Sequence, residues 1–167
     1  MGELGRELAG GHRARLIKDL TRAYADEWCA HYNFQFTANA LWGHYSPSTT
    51  ALLARKSAEA LARANRLAQR ILQLGGRPSP KLTDVVGDAT DKPFKLPKSM
   101  VDVHGALKAV LDAERTSLRT YQRLYARTRD SDPVTALLAQ EYLAATVQGE
   151  DELERLIGDH APGMKGR

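Results

Sequence analysis

Small and apolar residues at Leu53, Ser57, Ala60, Ala64, Leu67, Ile71 and Leu74 recur at intervals of three and four, the period of a helix with one buried face. Gly75-Gly76 supplies a residue free to enter the left-handed conformation, and Pro78 bars continuation, so the pattern predicts a helix over about 47–74. Before it, Leu16, Leu20, Tyr24, Glu27, His31, Phe34, Ala38 and Leu41 keep a seven-residue repeat that predicts a helix over about 12–42. The break at Gly43 to Pro47 places Ser46 as a cap and Pro47 in the first turn of the next helix. A third helix over about 100–129 turns Leu107, Leu111, Glu114, Leu118, Tyr121 and Tyr125 inward, with Ser99 and Asp102 as an approximate capping box. Asp130-Ser131-Asp132-Pro133 ends it and opens a fourth, over about 133–158, carrying Leu138, Tyr142, Ala145, Gly149, Leu153 and Leu156. Residues 1–11 and 159–167 read as tails.

Between the second and third helices, residues 75–99 lose the periodicity and hold Pro78, Pro80, Gly87, Pro93 and Pro97. Short connections make the flanking helices antiparallel pairs, whereas a long one lets the second and third run the same way along a bundle. The expected fold is all-α: an antiparallel four-helix bundle with one long crossover between helices 2 and 3, in a single domain over 12–158.

Composition agrees with packed helices, since Ala, Leu and Arg are the commonest of the 167 residues. The single cysteine, Cys29, excludes an internal disulfide and fits a reducing compartment. No apolar run at the N-terminus resembles a secretion signal and no stretch of 18 apolar residues occurs, which predicts a cytoplasmic protein without a membrane partner. The formal charge of +4 permits contact with polyanions without requiring it.

The run Leu67-Ala68-Gln69-Arg70-Ile71-Leu72-Gln73-Leu74-Gly75-Gly76-Arg77-Pro78, with Ala25-Asp26-Glu27-Trp28 earlier and Ala113-Glu114-Arg115 later, resembles the ferritin-like proteins, nearest to the bacterioferritins and the Dps-like group. The resemblance covers about residues 10–160. It implies a di-iron site in which two helices each supply a Glu and the other two each supply Glu-x-x-His, all facing inward. The two single glutamates match Glu27 and Glu114. The second-helix pair matches Ala60 and Arg63, and the fourth-helix pair matches Thr146 and Gly149, none of them a metal ligand. The ferroxidase centre is therefore expected to be absent, with no cofactor.

Two buried carboxylates without a metal need a proton or a cation. Arg63 stands where a histidine ligand would be, and its guanidinium can fork two carboxylates. One reading makes Arg63 the ionic substitute for metal, bridging Glu27 and Glu114. A second leaves Arg63 at the edge of the stripe, paired with Glu59, and Glu27 solvated. A third relocates a metal to some of His31, Glu59, Glu114, Glu141 and Glu150; His31 alone reads as a core histidine bonded to a backbone carbonyl. The intersubunit iron site of Dps proteins would need two first-helix histidines, for which only His31 and His44 offer themselves, and second-helix acids where Asn65 and Gln69 stand. The haem of bacterioferritin would need a second-helix methionine, but the methionines are Met1, Met100 and Met164.

Residues 28–54 carry no Asp, Glu, Lys or Arg yet hold more than half of the aromatic side chains. Aromatic enrichment and charge depletion mark an interface core, so Trp28, Tyr32, Phe36, Trp42 and Tyr45 are expected to meet another subunit in a homo-oligomer, a dimer or a cage. The alternative is that they fill the core and cover the crossover. The second helix carries Arg55, Lys56, Arg63, Arg66 and Arg70 against Glu59, a solvated face or an anion-binding one. Arg6, His12, Arg13, Arg15 and Lys18, diluted by Glu3 and Glu7, are similar to the basic tails with which some Dps proteins bind DNA. The expected function is thus a non-ferroxidase structural or ligand-binding ferritin-like oligomer with at most residual iron handling. Iron storage or detoxification at a relocated site, and a DNA-associating Dps-like protein, are the alternatives.

Overall fold

The computed structural model describes residues 10–42, 46–90 and 98–159. Tyr45, His44, Met1, Met164, Glu3, Arg6, Glu7, Pro93, Pro97 and the side chain of Ser46 lie outside the described residues. After a single 3-10 turn at Gly10–His12, the chain forms α1 (Arg13–Ala40), α2 (Ser46–Gln73), a short α3 (Leu82–Asp88), α4 (Val103–Thr128) and α5 (Pro133–Asp159). No strand occurs among the described residues, and the all-α bundle expected from the periodicity is the fold.

Side-chain pairings give the directions. Glu27 of α1 meets Arg63 of α2 and His31 meets Ser57, so α1 and α2 are antiparallel. Lys56 of α2 meets Glu114 of α4, while Arg70 meets Asp132 just after α4, so these two run the same way. Arg66 to Glu141 and Arg55 to Glu152 set α5 antiparallel to α2. The chain runs up, down, crosses over, then down and up. At one end of the bundle the Trp42 amide donates to the Met100 carbonyl at 3.2 Å, and near the other Arg127 reaches Asp19 at 2.7 Å.

Helix ends follow local chemistry. Gly75 adopts φ 80°, and amides of Gly75 and Gly76 return to the carbonyls of Leu72 and Ile71, both at 2.9 Å, which satisfies the last turn of α2. A Cβ on Gly76 would lie 2.7 Å from a methyl of Ile17, so this close approach of α1 also needs glycine. Asp102 is itself the N-cap of α4, accepting from the Gly105 amide at 2.8 Å, which corrects the capping box begun at Ser99. The crossover is likewise not wholly irregular. Its helix α3 buries Val85 against α1, and the Thr90 amide beyond it donates to Asp26 at 2.5 Å. Seven residues are too few for a helical period to show in sequence.

Cover from both sides buries more of α1 than one heptad row. Ala23 and Ala30 enter the core, whereas Tyr24 and His31 are half-buried, because a helix of 3.6 residues per turn drifts away from a strict seven-residue repeat. The core is split. Phe34, Ala38 and Leu41 pack with Leu53, Leu107, Val110 and Leu153 in one half, and Leu16, Leu20, Leu67, Ile71, Tyr121 and Leu138 in the other. Between the halves lies a layer of charged side chains.

Candidate functional site

Mid-helix positions on α1, α2, α4 and α5 converge on this layer. Glu27 is 1% exposed; its Oε2 accepts from Arg63 Nε at 2.9 Å and its Oε1 from the Tyr121 hydroxyl at 2.5 Å. Glu114 is 3% exposed and accepts from Lys56 Nζ at 2.5 Å. Burial pushes the Glu27 carboxyl above its ordinary 4.5, against the opposing pull of the Arg63 guanidinium and the Tyr121 hydroxyl. Burial works against the charge of Arg63 as well, but the Glu27 and Glu114 carboxylates and the Tyr121 oxygen outweigh it and hold the guanidinium more firmly protonated than usual. Burial first, and then Glu27, push the Tyr121 hydroxyl well above 10, so it remains a donor.

The expected single bridge is therefore two separate pairs. Among the described residues Arg63 bonds Glu27 alone, and Glu114 is closed by Lys56. Room for that ammonium comes from Gly149: a Cβ there would stand 2.6 Å from Lys56 Nζ and 3.0 Å from Glu114 Oε1. Gly149, which the sequence resemblance matched to a histidine, brings no side chain here, and a lysine from the neighbouring helix fills the space. Thr146, the partner position, turns its hydroxyl onto the Tyr142 carbonyl at 2.7 Å, and Ala60 is simply core.

Lys56 was not singled out as a site residue in the sequence, although a signal existed. Lys56, Arg63 and Arg70 are seven residues apart and share the flank of the apolar stripe of α2. The reading of α2 as a basic outer face is corrected at these three positions, which are all buried; only Arg55 and Arg66 face solvent. Arg70 closes a third internal pair, reaching Asp132 Oδ2 at 2.7 Å and Thr135 Oγ1 at 2.9 Å. Burial raises the Asp132 pKa, but hydrogen bonds from Thr135 and Arg70 outweigh it and hold the group below its ordinary 3.8.

The edge reading of Arg63 fails, since Glu59 pairs with Arg55 at 2.7 Å instead. The remaining candidates for a relocated metal are dispersed: Glu141 binds Arg66, Glu150 binds Arg115, and His31 Nδ1 faces the Ser57 carbonyl at 3.0 Å and its hydroxyl at 2.8 Å. Asn65 and Gln69 are exposed amides. Among the described residues no three His, Cys, Asp or Glu side chains stand together as a metal would require. Two carboxylates, each already closed by a cation, do not fit a pair of metal ions, which need open oxygen and imidazole donors.

On the outside of α1, Tyr32 and Phe36 are exposed, as is Trp42 just beyond its end, Tyr32 and Trp42 by about two-thirds, and Tyr32 stacks on Phe36 with centroids 6.3 Å apart. Trp28 is half-buried between Tyr24 and His31 with its indole N–H unpaired among the described residues. Phe34 points the other way, into the core. No helix among the described residues is long and apolar enough to cross a membrane.

Comparison with known proteins agrees with this architecture. The Ferritin family profile, described as a ferritin-like domain, matches residues 17–161. The fold is similar to that of the dodecameric thioferritin, a bacterioferritin-related protein, from Bacteroides fragilis, with TM-score 0.88 and 23% identity, covering 95% of this chain and 94% of that one. It is similar also to Dps from Thermosynechococcus elongatus, with TM-score 0.83 and 17% identity over 93% and 96% of the two chains, and to the Dps protein of Vibrio cholerae O1, with TM-score 0.81 and 16% identity over 87% and 91%. Sequence comparison with curated proteins finds no significant match. The profile match spans most of the molecule and the solved structures superpose over nearly all of it: the chain belongs to the ferritin-like family.

Proposed function

We propose that this protein is a ferritin-like homo-oligomer whose bundle is closed by internal ion pairs in place of a di-iron centre, so that it serves as a scaffold or ligand-binding member of the family and not as a ferroxidase of the intrabundle kind. The observation that carries this reading is Lys56. Its ammonium occupies the space left by Gly149 and neutralises Glu114, while Arg63 neutralises Glu27. A divalent ion approaching this layer would meet two fixed positive charges and would have to break both pairs to gain two ligands. Assembly is supported by the bare aromatic face of α1 and by the dodecameric state of the Bacteroides fragilis relative. The fold family and the reducing-compartment composition support a cytoplasmic setting.

The test is metal content after anaerobic loading with ferrous iron, followed by absorbance on admitting air. The expected result is iron far below one ion per chain and an oxidation rate equal to that of buffer. Two ions per chain with rapid oxidation would overturn the reading. Light scattering on the same sample should give a mass several times 18.4 kDa; a monomer would remove the oligomeric part of the proposal.

A further inference from the structure

Arginines on the two sides of this bundle are treated differently. On α2, the outer face of α5 and the α5-facing side of α4, each exposed arginine has a carboxylate: Arg55 has Glu59 and Glu152, Arg66 has Glu141, Arg115 has Glu150 and Glu154, and Arg155 has Asp151. Along the face formed by α1 and α4 this matching stops. Arg15, Arg22, Arg119 and Arg123 have no carboxylate partner among the described residues, and Asp19, engaged by Arg127 at 2.7 Å, is the acid between them. The antiparallel pairing of α1 with α4 brings Arg22, Arg123 and Arg127 to the walls of one cleft, with Thr120, Leu124 and Asp19.

That cleft holds about 60 Å³, room for a few water-sized groups and hence for the oxygens of one small tetrahedral anion. A second hollow of about 310 Å³ shares Asp19 and Arg127 with it and adds His12, Arg15 and Asp130, the last engaged by Arg129 at 3.1 Å. Donors outnumber acceptors. Arg123 spends Nε on the Arg119 carbonyl at 3.2 Å and one terminal nitrogen on the Thr120 hydroxyl at 3.4 Å; Arg127 spends one terminal nitrogen on Asp19; Arg22 spends none among the described residues. Three guanidiniums against one carboxylate leave an excess of positive charge, and forked planar donors match the oxygens of a phosphate.

We propose that this α1–α4 cleft is a binding site for a tetrahedral oxyanion of the phosphate class, held by Arg22, Arg123 and Arg127. It lies on a different face from the α2–α5 seam and is independent of the internal ion pairs, so it stands whether or not the central layer binds metal. The Asp19 carboxylate would repel the anion, but Arg127 pairs with it at 2.7 Å and still lines the cleft.

The experiment is calorimetric titration of the intact oligomer with inorganic phosphate at low ionic strength, repeated with sulfate and with chloride. Saturable uptake approaching one phosphate per chain is expected, with sulfate competing and chloride not. Arg22→Ala and Arg123→Ala should each weaken it about tenfold or more, the effect of losing a charge-assisted hydrogen bond; Arg22→Lys should recover part of the loss, and Arg155→Ala should leave binding unchanged. These arginines are exposed, so the variants should fold, which circular dichroism checks. Absence of phosphate uptake, or uptake indifferent to Arg22→Ala and Arg123→Ala, would overturn the site. So would binding of a DNA duplex by a protein that takes up no inorganic phosphate, because the cleft would then be part of a broad basic surface and not a pocket.

Discussion

The central layer and the α2–α5 seam contain the same chemical groups in opposite environments. In the centre, Lys56 with Glu114 and Arg63 with Glu27 are at least nine-tenths buried; on the seam, Arg66 with Glu141 and Arg55 with Glu152 are about half exposed. Bond lengths hardly differ between the two sets, 2.5 and 2.9 Å in the centre against 2.5 and 2.6 Å on the seam. What differs is the alternative open to each charge. A seam side chain released from its partner returns to water, whereas a central one is stranded among apolar neighbours. Distance therefore says little about how much either pair matters, and burial decides it.

The sharpest way to break this contrast is to orphan one central charge. Glu114→Ala, which leaves the Lys56 ammonium without its acceptor, should cost about 3–5 kcal/mol in urea unfolding, and Arg63→Ala a similar amount. The double variant Lys56→Met with Glu114→Leu should recover most of the loss, since apolar replacement of a whole buried pair is often neutral or stabilising. A single variant losing under about 1 kcal/mol would mean that water reaches the layer.

Gly149→Ala tests the space that admits Lys56. The added methyl would displace an ammonium that cannot move without losing its bond, at about 1–3 kcal/mol for overpacking, partly offset by about 1 kcal/mol of helix propensity. A net loss of up to about 2 kcal/mol is expected; a stabilised protein would show that the layer rearranges freely.

Titration separates the groups by sign. Burial raises the Tyr142 hydroxyl to about 12, and burial with Glu27 raises Tyr121 well above 10. A raised folded-state value means stability that is intact below the ordinary 10 and lost as pH climbs toward 12. The melting temperature should fall across that window, less so in Tyr142→Phe. In acid, Asp132 has a depressed value, so its contribution is present above 3.8 and lost as pH drops through its folded-state value; Asp132→Asn should flatten that acid limb. Glu27 runs oppositely, because its value is raised: its contribution is greatest below 4.5 and declines as pH rises. An acid limb unchanged in Asp132→Asn would assign the lability elsewhere.

The smallest effect belongs to the seam. Arg66→Ala or Glu141→Ala should change stability by less than about 1 kcal/mol, and added salt should shrink even that. A loss comparable to that of Arg63→Ala would erase the distinction between the two regions.

Legibility followed from how locally each feature is specified. The four long helices and the long crossover could be read from the periodicity of α2, the Gly75-Gly76 stop and the prolines after it, since each acts within a turn or two of chain. Glu27 and Glu114 were singled out because the family resemblance matched them and each lies in an inward row. Lys56 was not, because its charge suggested solvent and nothing in its neighbours along the chain shows that Gly149, 93 residues later, leaves a hole for it. The short α3 escaped for want of length, and the capping role of Asp102 was misplaced by three residues because Ser99 and Asp102 are both acceptable caps.

Taken alone, the sequence determined which segments are long helices and most of the stripe that each buries, because both depend on residue type and short-range spacing. Only the tertiary structure decided which cation meets which carboxylate and which arginines are left without an acid. Those outcomes depend on the register between helices distant in sequence, and a shift of one turn along α2 would exchange a buried ion pair for a stranded charge.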